Sequence, residues 1–520
     1  MKRNLLFIIA LFVCVLSFGQ GEIDAYRYSN NDLSGTARGQ AMGGAFGALG
    51  GDMTGVAVNP AGIGIYRSSE IVANMSLTSP IIKGTTNQES NNTFHFDNLS
   101  YVSYYPLVKG SMLSLNFGFN YSRVKNFEQR YSASKPEMKS SLTDYMVQLT
   151  NGVYHTTWDS GNTDSWYANS NIPWLGILAW DGYLIDPRRG TSNVYESILP
   201  EGEKVKPSLK VTEKGKVETY DFTIGSNIVD KFYWGATVSI TDLSYVMTST
   251  YEEKFLGVPG SGFSLENYLN TKGSGIQLKA GVILRPANAL RIGVAYHSPI
   301  WYTMTDYYQG CLIPNLTPRG IYDDNGNEVG LTVTPENASI SYNFRTPGSW
   351  TFSAAVVLST QAVVSLDYEI KDYADMNLKD DRGNDWKDVN NIINEDYKNA
   401  STIRVGLEFR FTPQLSGRLG YALAQSPYRL NDIKSVGDII VPAGTIPHYT
   451  LSGDVNYLTA GLGFRFTPRF YGDIALVLRT QEDDLYYFPS VKNNGVDSDS
   501  FQSTFTNKAL KGLVTLGYKF

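Results

Sequence analysis

Leu510-Lys511-Gly512-Leu513-Val514-Thr515-Leu516-Gly517-Tyr518-Lys519-Phe520 reads as two interleaved lists. Leu510, Gly512, Val514, Leu516, Tyr518 and Phe520 are largely apolar or aromatic, whereas Lys511, Leu513, Thr515, Gly517 and Lys519 are mostly small or charged. A period of two sends the lists to opposite faces of a strand. The same alternation recurs upstream. Ile403, Val405, Leu407, Phe409 and Phe411 oppose Thr402, Arg404, Gly406, Glu408 and Arg410, and Leu458, Ala460, Leu462, Phe464 and Phe466 oppose Thr459, Gly461, Gly463 and Arg465. Apolar faces carrying aromatics, set against charged faces over about ten residues per strand, suit a closed barrel in a bilayer, where no water is present to pair an open edge.

The rest of the chain agrees. Lys2 and Arg3 precede an apolar run from Leu5 to Phe18, with a plausible cleavage point at Gly19-Gln20, which predicts a signal peptide over residues 1–19. That run is too short for a comfortable spanning helix, and no other stretch approaches eighteen consecutive apolar residues. Leu11-Phe12-Val13-Cys14 departs from a lipobox at Val13, which is bulkier than the small residue expected there. Removing Lys2 and Arg3 from 44 basic residues leaves 42 against 50 acidic ones, a net charge of −8. That excess argues against a nucleic-acid partner. Only Cys311 survives signal removal, so no intramolecular disulfide or cysteine metal site is expected. The 35 Tyr and 24 Phe exceed what a soluble core needs and suit two aromatic belts.

Six short turns fall at 107–110, 229–231, 285–288, 358–361, 411–414 and 466–469. Longer polar connections fall near 80–96, 125–215, 251–273, 303–347, 374–396, 426–454 and 482–506. Together they predict fourteen strands, near 69–79, 97–107, 111–124, 216–229, 231–250, 274–286, 289–302, 348–358, 361–373, 397–412, 414–425, 455–467, 469–481 and 507–520. The fold class expected is therefore all-β, a 14-stranded antiparallel transmembrane β-barrel of residues 69–520. It is placed in the outer membrane of a Gram-negative bacterium with short turns in the periplasm and long loops outside. A soluble sandwich also alternates, but its turns are not sorted into a short set and a long set.

Residues 20–68 do not alternate. They hold a run rich in small residues from Gly35 to Gly64, including Gly43, Gly44, Phe46, Gly50, Gly51, Asn59, Pro60 and Ala61. Small residues allow tight turns and close backbone packing, so this segment is a candidate plug, or hatch, for the lumen. The run from Ala37 to Gly64 resembles the N-terminal hatch of the FadL-type outer-membrane transporters, whose Asn-Pro-Ala motif is matched by Asn59, Pro60 and Ala61. Further matches lie at Leu290–Pro299, Val364–Tyr368 and Arg404–Arg410, and the resemblance runs along the whole mature chain. His297 stands where the family often has Arg, and the 125–215 insertion is long for the family. The resemblance implies a fourteen-stranded channel for long-chain fatty acids or aromatic hydrocarbons. It implies capture at the loops, passage to a pocket above the hatch, and release when the segment from Gly43 to Pro60 shifts. A kink in the third strand opens a lateral exit in the family's fatty acid transporters; here Gly118 is the visible weak point of that strand.

Within the long insertion, Ser141-Leu142-Thr143-Asp144 could open a short helix as a capping box. Ile172 to Trp180 is unusually apolar for an external loop. Trp174, Leu175, Ile177, Leu178 and Trp180 form either a capture site for an apolar ligand or the core of a loop folded on itself over the barrel mouth. Arg291, His297, Asp367, Arg404, Glu408 and Arg410 are expected to face a polar lumen and to pair with the hatch and with one another. Asp323-Asp324-Asn325-Gly326-Asn327-Glu328 places its Gly fourth, which fits an Asn-Gly hairpin better than a calcium loop. The four His have no metal-ligand spacing, and no nucleophile elbow is present, so no catalytic residue, metal or cofactor is expected.

The expected function is passive uptake of hydrophobic small molecules, long-chain fatty acids first. The alternative is a scaffolding or shuttle barrel serving a protein secretion system. Expected partners are the apolar ligand, outer-membrane lipid and lipopolysaccharide, the barrel-assembly machinery during insertion and, under the alternative, a secretion component.

Overall fold

The computed structural model describes residues 21–83, 92–161, 163–169, 172–200, 202–316, 332–334, 338–358, 361–429, 444–493, 496–498 and 501–520. The signal peptide and the 323–328 hairpin lie outside these residues.

Fourteen strands close into an antiparallel barrel. They are β1 (Glu70–Lys83), β2 (Thr93–Pro106), β3 (Met112–Asn126), β4 (Val205–Ile228) and β5 (Phe232–Phe255). Then follow β6 (Gly262–Ala287), β7 (Leu290–His297), β8 (Ser349–Val357), β9 (Ala362–Asp372) and β10 (Asn399–Arg410). The last four are β11 (Leu415–Ala424), β12 (Tyr449–Arg465), β13 (Phe470–Tyr486) and β14 (Phe501–Lys519). Each pairs with its neighbour in sequence, and β14 returns to β1 from Glu70 opposite Lys519 to Lys83 opposite Thr506. No sheet edge is left unpaired at the closure, as a bilayer demands.

The wall faces out as the alternation requires. Leu407, Leu419, Leu476 and Val514 are exposed on the outside, while Asp367, Thr459 and Thr515 are buried inside. No helix among the described residues is long and apolar enough to cross a membrane.

The short turns fall where the sequence places them, but several strands run far beyond their predicted outer ends. The reason is a change of polarity along single strands. On β5, Val238 and Ile240 point outward and are exposed while Thr237, Ser239 and Thr241 are buried inside. Two residues further the rule inverts: Leu243, Tyr245, Met247 and Tyr251 are buried inside, and Thr248, Glu252 and Lys254 face water. β6 inverts at the same level, with Ile276 and Leu278 exposed outside below Ser274, and Leu265 and Leu269 buried inside above it. The register aligns Tyr220, Ile240 and Ile276 in one row and Glu218, Asp242 and Ser274 in the next. The bilayer ends between these rows. Above it the sheet continues as the wall of a water-soluble domain, so segments read as polar connections at 125–215, 251–273 and 303–347 hold strand in part.

Two neighbouring strands break at that level. β7 stops at His297 and resumes as Trp301–Asn315, and Ala338–Arg345 precedes β8 across Thr346-Pro347-Gly348. Pro299 and Pro347 supply no backbone donor, and Thr346 Oγ1 accepts the Ile300 amide at 2.9 Å in place of a ladder bond.

The extracellular walls enclose a dome with its own core. α4 (Leu142–Thr150) begins at a complete capping box of Ser141 and Asp144. α6 (Trp174–Asp181) buries Leu175, Gly176, Ile177, Leu178 and Ala179, so it lies inside the dome rather than on it. A helix that is apolar on all sides has no other stable place in water.

Candidate functional site

The N-terminal segment lies within the lumen. α1 (Glu22–Ser29) sits at dome level, where Tyr28 Oη donates to Thr271 Oγ1 at 3.1 Å and Tyr397 Oη donates to the Glu22 carbonyl at 2.8 Å. The chain then descends through α2 (Ala37–Ala41), α3 (Met53–Val58) and a 3-10 turn (Pro60–Ile65) to β1. Its turns are capped by short polar side chains. Thr36 Oγ1 accepts the Gly39 amide at 3.0 Å, Asp52 accepts the Thr54 amide at 2.9 Å, and Asn59 accepts the Ala61 amide at 3.1 Å.

Inward side chains of the wall take up the remaining backbone groups. Asp367 on β9 accepts the amides of Phe46 at 2.9 Å and Gly47 at 3.0 Å through one oxygen. Thr459 on β12 accepts the Gly43 amide at 3.1 Å and donates to the Ala41 carbonyl at 2.9 Å. Asn59 Nδ2 bridges the Gly47 carbonyl at 2.8 Å and the Val282 carbonyl at 3.2 Å. Arg291 donates to the Leu49 carbonyl at 2.6 Å, and His297 Nε2 lies 3.0 Å from the Val58 carbonyl. Gly43, Gly44, Gly50 and Gly51 all have positive φ. At Gly43 and at Gly420 of β11 the two backbones approach so closely that a Cβ on Gly420 would lie 2.1 Å from the Gly43 nitrogen.

Several lumen charges are joined in ion pairs. Glu408 accepts from Arg38 of the segment at 2.9 Å and from Arg418 at 2.6 Å, and Arg418 also reaches Asp473 at 2.5 Å. Arg404 pairs with Glu369. Arg410 joins none of these and is exposed at the end of β10 beside the short turn. Pro60 and Ala61 are buried, and the Pro60 carbonyl packs where Gly235 leaves room. Phe46 is fully buried, with the Arg38 guanidinium 5.3 Å from its ring centre.

Beside the upper part of this segment, from Ile23 to Leu33, is a cavity of about 260 Å³. Ile23, Tyr26, Val124, Phe127, Tyr457 and Phe505 give it an apolar lining, and the cations Arg123, Lys125, Arg479 and Lys511 and the carboxylates Asp32, Asp97, Glu128, Glu213 and Asp483 line it as well. Asp32 lies 3.5 Å from Lys125 and 3.7 Å from Arg479, and Asp97 lies 2.8 Å from Lys511. The cavity is amphipathic rather than apolar. Alternation put Lys511 on the charged face of the last strand, but it missed Arg123 and Lys125, which straddle a bulge in β3 that shifts their register, and no alternation reveals a bulge.

The cavity reaches the wall between β2 and β3. Their ladder ends at Asn98 opposite Ser122. Above that pair the described contacts are side-chain ones: His95 lies 2.5 Å from Arg123, 3.2 Å from Asn126 and 3.6 Å from Glu128. Gly118, the weak point expected in β3, pairs regularly with Val102 and Thr223, and its missing side chain instead makes room for Ile63.

The expected capture residues lie in the dome. Leu175, Ile177 and Leu178 are buried in its core. Trp174 and Trp180 are partly exposed, Trp174 against Tyr167 and Tyr308 at 5.0 Å each, and Trp180 stacked on Trp158 at 5.3 Å.

A closed barrel threaded by a capped, glycine-rich segment defines an outer-membrane channel. The sequence model of the family described as Outer membrane protein transport protein (OMPP1/FadL/TodX) matches residues 216–520, more than half of the chain, and the chain belongs to that family. It is a transport protein of the outer membrane and not an enzyme. A FadL homologue of Pseudomonas aeruginosa shares the fold at a TM-score of 0.54, with 14% identity over 94% of this chain and 99% of that one. The toluene transporter TbuX of Ralstonia pickettii gives 0.47 with 13% identity over 93% and 98%. The toluene transporter TodX of Pseudomonas putida gives 0.47 with 12% identity over 94% and 99%. No curated protein matches the chain.

Proposed function

We propose that this channel passes hydrophobic small molecules inward without an energy source, and that its preferred cargo is an amphiphile with an anionic head, long-chain fatty acids first. The observation that carries this is the cavity, which is lined by aromatic and aliphatic side chains together with Arg123, Lys125, Arg479 and Lys511. A carboxylate desolvated there meets cations while its chain meets an apolar wall. Cargo enters past the dome, with Trp174 and Trp180 as first contacts, rests in the cavity, and leaves when residues 43–61 shift or sideways past His95 between β2 and β3.

Proteoliposomes test this. Oleate flux exceeding that of an unrelated barrel, and falling about tenfold in Arg123→Ala/Arg479→Ala while toluene flux holds, is the expected result, since a charge-assisted hydrogen bond contributes on that order. Oleate passing no faster than through the unrelated barrel sinks the reading. A stoichiometric protein co-purifying with an empty cavity would favour the scaffolding role instead.

A further inference from the structure

The outer face of the extracellular wall carries a charge asymmetry that the transport path does not use. Above Glu218, the outward positions of β4 include Lys216, Lys214, Lys210 and Lys206. Arg130, on the strand Gln129–Ser134, stands opposite Thr212, and Lys254 of β5 stands opposite Lys206. Above the row of Glu218 and Asp242, the outward carboxylate on these three strands is Glu252, opposite Ser208. The chain as a whole has more acidic than basic residues, 50 against 44, so the stripe is not an average of composition.

A merely solvated face would look different. Exposed sheets gain from opposite charges across the ladder and lose from like charges placed directly opposite. Here Lys206 faces Lys254, Lys210 faces Ser132 and Thr250, Lys214 faces Val246, and Lys216 faces Ser244. Lys206, Lys210 and Lys214 are exposed and make no ion pair among the described residues. Lys216 pairs with Glu218 at 2.8 Å, but Lys206 is left directly opposite Lys254 and Lys210 and Lys214 have no cross-strand carboxylate, and an external polyanion would offset that charge.

The position names the polyanion. The stripe starts directly above the interface, where Tyr121 and Tyr220 pair at 5.6 Å, with Phe222 and Ile224 exposed to the bilayer below. From Lys216 to Lys206 it climbs roughly 33 Å along the strand at about 3.3 Å per residue. In an outer membrane that layer holds the saccharide heads of the outer leaflet. We propose that this face of the wall docks the phosphorylated head of lipopolysaccharide. Lysines meet phosphates as mobile point charges, without the fixed geometry an arginine fork imposes, and the contact is screened by salt.

The test titrates detergent-solubilised full-length protein against immobilised lipopolysaccharide. Lys206→Gln/Lys210→Gln/Lys214→Gln is expected to bind about tenfold more weakly, and wild type to weaken comparably at ~0.5 M salt or when the lipopolysaccharide is dephosphorylated. Lys231→Gln, an exposed lysine in the short turn at the opposite end of the barrel, is the control and is expected to match wild type. All substituted lysines are exposed, and heat-modifiable migration reports an intact barrel. Triple-variant binding equal to wild type, equal loss in the control, or indifference to dephosphorylation overturns the proposal. A changed oligomeric state with unchanged lipopolysaccharide binding would assign the stripe to a second copy and overturn it too.

Discussion

Asp367 has no exposed surface, yet it accepts two backbone amides from another part of the chain through one oxygen. Asp367→Ala leaves the Phe46 and Gly47 amides buried without an acceptor, a loss of about 1–3 kcal/mol. Faster hydrogen exchange across residues 43–50 with the barrel strands unchanged is the expected outcome; unchanged exchange would refute the anchoring role. A second residue ties the dome to pH. Glu253, well above the bilayer, is buried at the start of α4, where its carboxyl accepts the Leu142 amide at 3.0 Å and the Tyr251 hydroxyl at 2.6 Å, with Ser141 donating to its other oxygen. Burial pushes it from 4.5 up to about 7, against the pull of those hydrogen bonds. A carboxyl whose folded value lies above its unfolded one stabilises the fold fully below the unfolded value, and that contribution is lost as pH rises through the folded value. Exchange protection in α4, corrected for intrinsic rates, should therefore fall between pH 5 and 7 and level off above. Glu253→Gln should flatten the profile, and a variant that kept the wild-type slope would remove Glu253 as its source. Parity alone placed Asp367 and Glu408 in the lumen. It could not show that Arg410, on the same face, lies too near the strand's end to join them.

At the scale of the element, each strand within the bilayer announces itself and each strand above it does not. Leu458, Ala460, Leu462 and Phe464 alternate with small or charged residues because lipid sits outside and water or polar backbone inside. Thr248 to Lys254 alternate with the opposite sense because water sits outside and the dome core inside. Without a sign for the outside medium, the second pattern reads as a polar loop, and that is why the outer ends of β4, β5 and β6 escaped. The inversion predicts opposite responses to one substitution. Leu476→Lys, facing lipid from the middle of β13, should cost roughly 2–4 kcal/mol of folding in vesicles, while Thr248→Lys should cost almost nothing. Equal costs would place the bilayer boundary elsewhere. α6 was legible as apolar but not as buried, since its composition fits a capture patch and a core equally well.

At the scale of the whole molecule, strand count and closure were legible because the short turns repeat at regular intervals, while the cavity was not, because it is assembled from strands far apart in sequence. Lys125, Arg479 and Asp32 meet only after the barrel closes. The filled lumen predicts low ion conductance in planar bilayers. A chain lacking residues 21–66 should conduct at least about tenfold better, as an open lumen of fourteen strands is wide enough for water. Conductance that stayed low would show that the dome, not this segment, seals the channel.

The seam between β14 and β1 bears on how the molecule is made. α1 is held beyond the outer face of the bilayer by Tyr397 and Thr271, yet β1 starts at the opposite end, with Glu70 beside Lys519. The intervening chain therefore runs the full height of the tube. It cannot be inserted sideways once the seam has zipped, so the order of assembly is constrained: the first residues either lie in the groove of the half-built sheet when the last strand arrives or thread the closed tube end-on. A tube sealed without them would leave Asp367 and Arg404 facing an empty bore. Biogenesis, and not only permeation, is shaped by those forty-odd residues.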